Sequence, residues 1–588
     1  MFGSGFYKDY RNYLNSSLRF NYLFDFITKG LSAHATLSYN NFYDHNITYK
    51  RNIVEYKAKR LPDNSIVYIP LSDPQPFNFS ESFGKNRKAY LEAGVDYARK
   101  FGDHNVTAMI LYNQSKLYDP NLAYLVAHGY QGLVGRATYD YKSRYLAEFN
   151  MGYNGTENFA IGKRFGFFPA YSIGWVTSEE PFFPKNNIVT YLKIRGTYGV
   201  VGNDQIGGNR FLYRSGVYTY TSNYYYFGQY GSNLQGYQGS IEGALGNPGL
   251  TWERAKKSNV GAEISLLKSK IKISADYFVE HRDNILANFQ TIPMIFAATL
   301  PPNNMGKMKN SGYEVEIAFN NNIGKFTYWV KGNLTYAHNV IQYQNEITQP
   351  YPYQQRTGQR SGQMFGFVTE GYFNSWKEVN DANRPFYTYS NNSIQPGDIK
   401  IVDVNGDGKI NSDDVVPIGY ANFPEKIFGM SFGGDFKGFD FTILFQGAAN
   451  VSAELSGSYT APFAVAANGP TFMDASWSQS RYDAGLPINF PRLNVASVAT
   501  SNHQTSDQTI RDASYLRLKT AELGYSLPER WLKKVGMTNL RVYVNGSNLI
   551  TWDKLPPGID PESAGASTVN TDPYPVAKTI NFGFNVKF

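Results

Sequence analysis

From Lys578 to Phe588 the chain alternates without a break. Ile580, Phe582, Phe584, Val586 and Phe588 fall on one face; Asn581, Gly583, Asn585 and Lys587 fall on the other. Strand side chains point to opposite faces in turn, so one face is greasy and one is wet. Chain ends ordinarily fray, but a membrane barrel must tie down its last strand to close the sheet. The same pattern recurs upstream. Leu31, Ala33, Ala35, Leu37 and Tyr39 alternate with Ser32, His34, Thr36, Ser38 and Asn40. Hairpins are predicted at 133–141/145–153, 260–266/271–279, 313–319/326–336 and 430–436/439–445, and further strands at 516–527 and 540–549. The pattern predicts about 14–16 strands of about ten residues, the length a tilted membrane strand needs.

The connections fall into two classes. One set is only a few residues long, as at Lys142-Ser143-Arg144 and Lys437-Gly438. The other set is long: 42–87, 203–257, 284–310, 341–426 and 451–511. Tight turns at one end and long loops at the other predict an all-β transmembrane antiparallel barrel, with periplasmic turns, extracellular loops and outer-membrane lipid around it. No capped segment of helical period is read. Aromatic residues gather at strand ends, among them Phe165, Trp175, Trp252, Trp531 and Trp552, as in an interfacial girdle.

Composition removes other classes. Charged residues are 18% and aromatic residues 16%, with 47 Tyr, 41 Phe and no Cys. Disulfide frameworks and thiolate metal sites are therefore excluded. Mean hydropathy is −0.41 and no long apolar run occurs, so no transmembrane helix is expected. The net charge of +8 is scattered, which points away from nucleic acid. The seven His are dispersed, and no nucleophile elbow or phosphate-cradling loop occurs. No enzymatic activity is expected. The N-terminus has no basic start leading into an apolar core, so the sequence is expected to lack a signal peptide.

The sharpest local motif is Asp403-Val-Asn-Gly-Asp-Gly-Lys-Ile-Asn-Ser-Asp-Asp414. It matches the calcium-loop spacing, with oxygens from Asp403, Asn405 and Asp407, the Lys409 carbonyl, Asn411 and Asp414, and Gly408 at the sharp turn. Position twelve is Asp rather than the Glu of helix-flanked sensors, so a structural Ca²⁺ is expected rather than a switch. The alternative is a polar Asn/Asp/Gly turn without metal. A second cluster is aromatic: Tyr224, Tyr225, Tyr226 and Tyr230 offer rings that could stack on a substrate. A third, 343–353, carries Tyr343, Tyr351 and Tyr353, with packing of loop on loop as the alternative for both clusters.

Six ordered segments resemble TonB-dependent outer-membrane receptors of the SusC/RagA type. They are Gly129-Tyr-Gln-Gly-Leu-Val-Gly-Arg-Ala-Thr-Tyr-Asp-Tyr, Arg164-Phe-Gly-Phe-Phe-Pro-Ala-Tyr-Ser-Ile-Gly-Trp, Asn247-Pro-Gly-Leu-Thr-Trp-Glu, Gly397-Asp-Ile-Lys before the Asp403 loop, Ser514-Tyr-Leu-Arg-Leu-Lys and Asn545-Gly-Ser-Asn-Leu-Ile-Thr-Trp. The resemblance implies a 22-stranded barrel around a plug, of which residues 1–588 would supply the C-terminal barrel portion without plug or signal peptide. It implies import of an oligosaccharide or peptide at the Gram-negative outer membrane, a SusD-like lipoprotein partner, and drive from TonB-ExbB-ExbD through the plug. It also implies that Phe584, Val586 and Phe588 form the outer-membrane assembly signal. The competing reading is a secreted, soluble all-β glycan-binding or adhesin protein.

Overall fold

The computed structural model describes residues 5–73, 75–121, 126–205, 210–216, 218–228, 234–292, 295, 300–389, 393–456, 460, 471–494, 501–533, 536–565 and 576–588. Among them, 17 strands form one antiparallel sheet in chain order. We label them β1 (Gly5–Leu23), β2 (Leu31–Lys50), β3 (Asn78–Phe101), β4 (His104–Tyr118), β5 (His128–Tyr141) and β6 (Tyr145–Thr156). There follow β7 (Phe165–Trp175), β8 (Val189–Asn203), β9 (Glu253–Leu266), β10 (Ile271–Ala287), β11 (Asn303–Ile323) and β12 (Phe326–Tyr343). The last five are β13 (Lys426–Phe436), β14 (Phe439–Ala449), β15 (Tyr515–Ser526), β16 (Asn539–Asp553) and β17 (Thr579–Lys587). Each pairs with its neighbours in sequence, and β1 and β17 are not paired with each other.

Register explains why the alternation is so regular. Trp175, Ile194, Ala262, Ala275, Val315, Leu334 and Phe428 lie opposite one another in turn across seven strands. One residue along, the opposite face carries Arg195, Gly261, Asp276, Glu314 and Thr335. The first row is apolar and the second mostly polar, because a shift of one residue exchanges faces. On the polar face Arg195 pairs with Asp276 at 2.6 Å, Arg136 with Glu148 at 2.8 Å and Arg541 with Glu522 at 2.6 Å. The apolar face stays open: Ile173 is 70% exposed, Phe582 84% and Phe584 71%. In a water-soluble sheet that face would need a covering layer.

Three expectations are corrected. The wall has 17 strands rather than 14–16. The first three strands run 19, 20 and 24 residues, so the connection expected at 42–87 begins only after Lys50 and ends before Asn78. Polar residues such as Asn41 and His45 interrupt the apolar face there, yet the backbone ladder continues to Lys50↔Asn78. Third, Trp252 does not join a girdle. It is 5% exposed and packs on Phe159 and Phe168 at 5.7 and 5.2 Å. Among the described residues three single-turn helices also occur, Trp376–Val379, Gln479–Asp483 and Glu529–Leu532, each too short to leave a periodic trace in the sequence.

Candidate functional site: the loop cap

The described parts of the connections between β12 and β13, β14 and β15, and β16 and β17 fold into a cap at one end of the sheet. Two apolar cores hold it. One gathers Phe367, Phe373, Tyr387, Ile399, Ile401 and Ile410. The other gathers Val451, Ala453, Leu455, Ala513, Leu555 and Ile559. Loops that bury side chains in this way can hold a binding surface in one shape.

A buried charge fastens two of the loops. Asp398 is fully buried, and its Oδ1 lies 2.7 Å from Arg492 Nε and accepts from Asn502 Nδ2 at 2.8 Å. Its Oδ2 accepts from the Gln395 N–H at 2.8 Å and from Arg492 Nη2 at 3.1 Å. Burial raises the Asp398 carboxyl above its ordinary value, against the pull of Arg492. Asn502 Oδ1 in turn accepts the Ile399 N–H at 2.8 Å. Gly397 precedes Asp398 at φ +92°, where a Cβ would lie 2.4 Å from the Trp477 ring, so only glycine fits. Nearby, Thr369 donates from its hydroxyl to Asp507 Oδ1 at 2.6 Å and from its N–H to Oδ2 at 3.1 Å. A third fastening is Arg517, 2% exposed, which meets Asp560 at 2.7 Å and Glu562 at 3.2 Å. Between these ties lies a cavity of about 470 Å³, lined by Tyr372, Ile399, Phe490, Asn502, Arg511 and Lys554 among others.

The 403–414 loop sits on this cap. Asp403 accepts the Gly406 and Gly408 N–H groups, each at 2.8 Å. Asn405 Oδ1 accepts from Asp407 at 3.0 Å, and Asp407 Oδ1 from Lys409 at 2.8 Å. Asp414 is fully buried and closes the loop from beneath: Oδ1 accepts the Val404 N–H at 2.8 Å and Oδ2 the Asn411 N–H at 3.0 Å. Asn411 caps the following turn through its side chain. Among the described residues no three His, Asp or Glu side chains converge as a metal cluster. Tyr351 and Tyr353 stack at 5.3 Å beside the loop. Tyr351 Oη accepts from Asn405 Nδ2 at 3.1 Å, and Tyr353 donates to the Asp413 carbonyl at 2.6 Å. These two rings pack loop on loop.

The other tyrosines lie elsewhere. Tyr224, Tyr225 and Tyr226 sit on a separate hairpin, Thr219–Phe227 with Gln235–Ile241, and are 50%, 65% and 65% exposed. Tyr224 and Tyr226 share one face, with ring centroids 6.4 Å apart. Tyr230 lies outside the described residues. Among the described residues, Tyr224, Tyr225 and Tyr226 are not brought into one site with the 403–414 loop. Sequence reading missed Asp398, Arg492, Asn502 and Arg517 as ties, because their partners lie 43 to 104 residues away.

No family model matches the chain. It is similar to TonB-dependent receptor P39 of Formosa agariphila, at 27% identity over 97% of this chain and 58% of that protein. It is similar to TonB-dependent receptor P3 of the same organism, at 26% identity over 87% and 51%. It is likewise similar to TonB-dependent receptor SusC of Bacteroides thetaiotaomicron, at 27% identity over 79% and 44%. The chain thus spans about half the length of the curated relatives it matches. Among solved structures it superposes on a chain of the RagAB peptide transporter with a TM-score of 0.75 and 16% identity, over 100% of this chain and 63% of that one. The similarity to SusC/RagA-type receptors read from the sequence holds across most of the chain.

Proposed function

We propose that this chain forms most of the wall of a TonB-dependent importer in the outer membrane, with the loop cap on the outer face as the place where nutrient is met. The observation that carries this reading is the open apolar face that runs across the sheet, with paired charges on the face behind it. Soluble proteins rarely leave so large a greasy surface uncovered, and lipid is the solvent that suits it. A soluble adhesin would need polar residues where Ile173, Phe582 and Phe584 stand. Strand parity adds to this. Seventeen antiparallel strands leave β1 and β17 running in the same direction, so antiparallel closure takes an odd number of further strands between them. On this reading the nutrient is an oligosaccharide or a peptide, the partner a SusD-like lipoprotein, and the drive comes from TonB. The similarity to SusC and to the RagAB peptide transporter supports the class of transport.

The test is fractionation followed by uptake. The protein is expected in the outer membrane, with heat-modifiable migration and with uptake of labelled oligosaccharide or peptide that stops when TonB is deleted. Recovery in the soluble periplasm would overturn the reading.

The calcium assignment is retained within this proposal. Its donor set is hard oxygen: Asp403, Asn405, Asp407, the Lys409 carbonyl, Asn411 and Asp414. The carboxylates of Asp403 and Asp414 also accept backbone N–H groups and so shape the loop around the donors. Calcium titration is expected to give binding heat that Asp403→Ala and Asp407→Ala remove. Absence of heat with the unmutated protein would sink the site.

A further inference from the structure

We infer that the tight-turn rim of the sheet carries a docking surface for anionic phospholipid headgroups, built on three adjacent hairpins. The inference rests on the membrane reading above and adds a ligand to it. The turn between β9 and β10 carries Lys268 and Lys270, that between β11 and β12 carries Lys325, and that between β13 and β14 carries Lys437. All four are exposed. No acidic residue stands in the three turns, and among the described residues none of the four lysines is in an ion pair. Other turns on the rim carry acidic residues among their basic ones: Lys142 pairs with Asp103 at 3.2 Å and Lys185 with Glu179 at 3.6 Å, and Asp25 shares the turn of Lys29. These three turns carry none.

The backbone holds these tips outward. Lys437 and Gly438 have φ +50° and +89°, the pair of left-handed residues that a two-residue hairpin requires. Lys268 is also left-handed, at φ +58°. Beneath the tips, on the apolar face, lies an aromatic cluster. Phe326 is 6.3 Å from Phe436 and 5.4 Å from Tyr328, and Phe439 is 4.6 Å from Tyr525. The Lys437 ammonium lies 5.1 Å from the Phe436 ring centre.

Two independent features therefore point to one ligand. Aromatic rings at a strand end fit the headgroup depth of a leaflet. An unanswered row of lysines just beyond them fits phosphate at that depth. A soluble phosphate would satisfy the charge and leave the rings without a role. The occupant is a phosphodiester headgroup attached to acyl chains, in the leaflet that surrounds the turns.

The test measures lipid preference in mixed bilayers, with spin-labelled phosphatidylglycerol against spin-labelled phosphatidylcholine. The variant is Lys268→Gln, Lys270→Gln, Lys325→Gln and Lys437→Gln together. Lys57→Gln with Lys59→Gln, at the long-loop end, is the control. Each tip lysine near the surface is expected to favour a bound anionic lipid by about fivefold. The unmutated protein should prefer phosphatidylglycerol, less so in high salt. The fourfold variant should fall close to parity while the control keeps the preference. Equal preference in the fourfold variant, with heat-modifiable migration retained, would overturn the rim assignment and leave the membrane reading standing. Failure of the unmutated protein to enter bilayers would overturn both.

Discussion

Asp398 is the residue on which the cap turns. Removing one partner of a buried pair leaves an unanswered charge, which typically costs about 3–5 kcal/mol. Arg492→Ala is therefore expected to loosen segments 393–402, 488–494 and 501–508, and hydrogen exchange across them should accelerate. Asp398→Ala together with Arg492→Ala should cost less than the sum of the single changes, because no lone charge remains. His503 gives the cap a pH dependence. Burial holds its imidazole below the ordinary value of 6.5, with Asp398 pulling upward and Arg492 downward. A depressed value means that the fold favours the neutral ring. That contribution is present above pH 6.5 and is lost as pH falls through the lower folded value. Asp398 acts in the opposite sense, since its raised carboxyl favours the fold in acid. Proteolysis of the cap is expected to increase on mild acidification, and His503→Gln should remove that increase. An unchanged profile in the variant would count against the assignment.

At the scale of elements, the two faces of one strand make opposite predictions. Val315 and Ile317 of β11 face outward, and Glu314 and Glu316 face the polar side. Val315→Arg is expected to destabilise the inserted sheet by about 2–4 kcal/mol if it sits near mid-bilayer. Glu314→Gln should change stability by less than about 0.5 kcal/mol. Denaturant unfolding in vesicles compares them. At the last strand, Phe584→Ala with Phe588→Ala is expected to lower the amount of assembled protein in the membrane more than its melting behaviour. Much of this was legible in sequence. The four central hairpins and the terminal strand were read from a period of two, because one face of each strand is uniformly apolar. The long, polar upper parts of β1, β2 and β3 were not. There the ladder continues through residues such as Asn41 and His45, which break the apolar rhythm of their face. The cap was legible only as motifs. Gly397-Asp-Ile-Lys and Ser514-Tyr-Leu-Arg-Leu-Lys marked the right places, but the partners of Asp398 and Arg517 depend on contacts across distant loops.

For the molecule as a whole, the sheet, the cap and the rim share one axis. Apolar residues form the outer surface, ion pairs line the surface behind it, long loops gather at one end and lysines at the other. All of this rests on which face of the sheet meets lipid. The chain has no cysteine, so single cysteines can report on each face without background. The decisive measurement places one cysteine at a time at positions 313 to 319 of β11 in the membrane-inserted protein and scores reaction with a water-soluble maleimide. Positions 314, 316 and 318 should react, and positions 313, 315, 317 and 319 should be protected and sense a lipid-borne quencher. Uniform reaction along the strand, or protection of the even positions instead, would contradict the account.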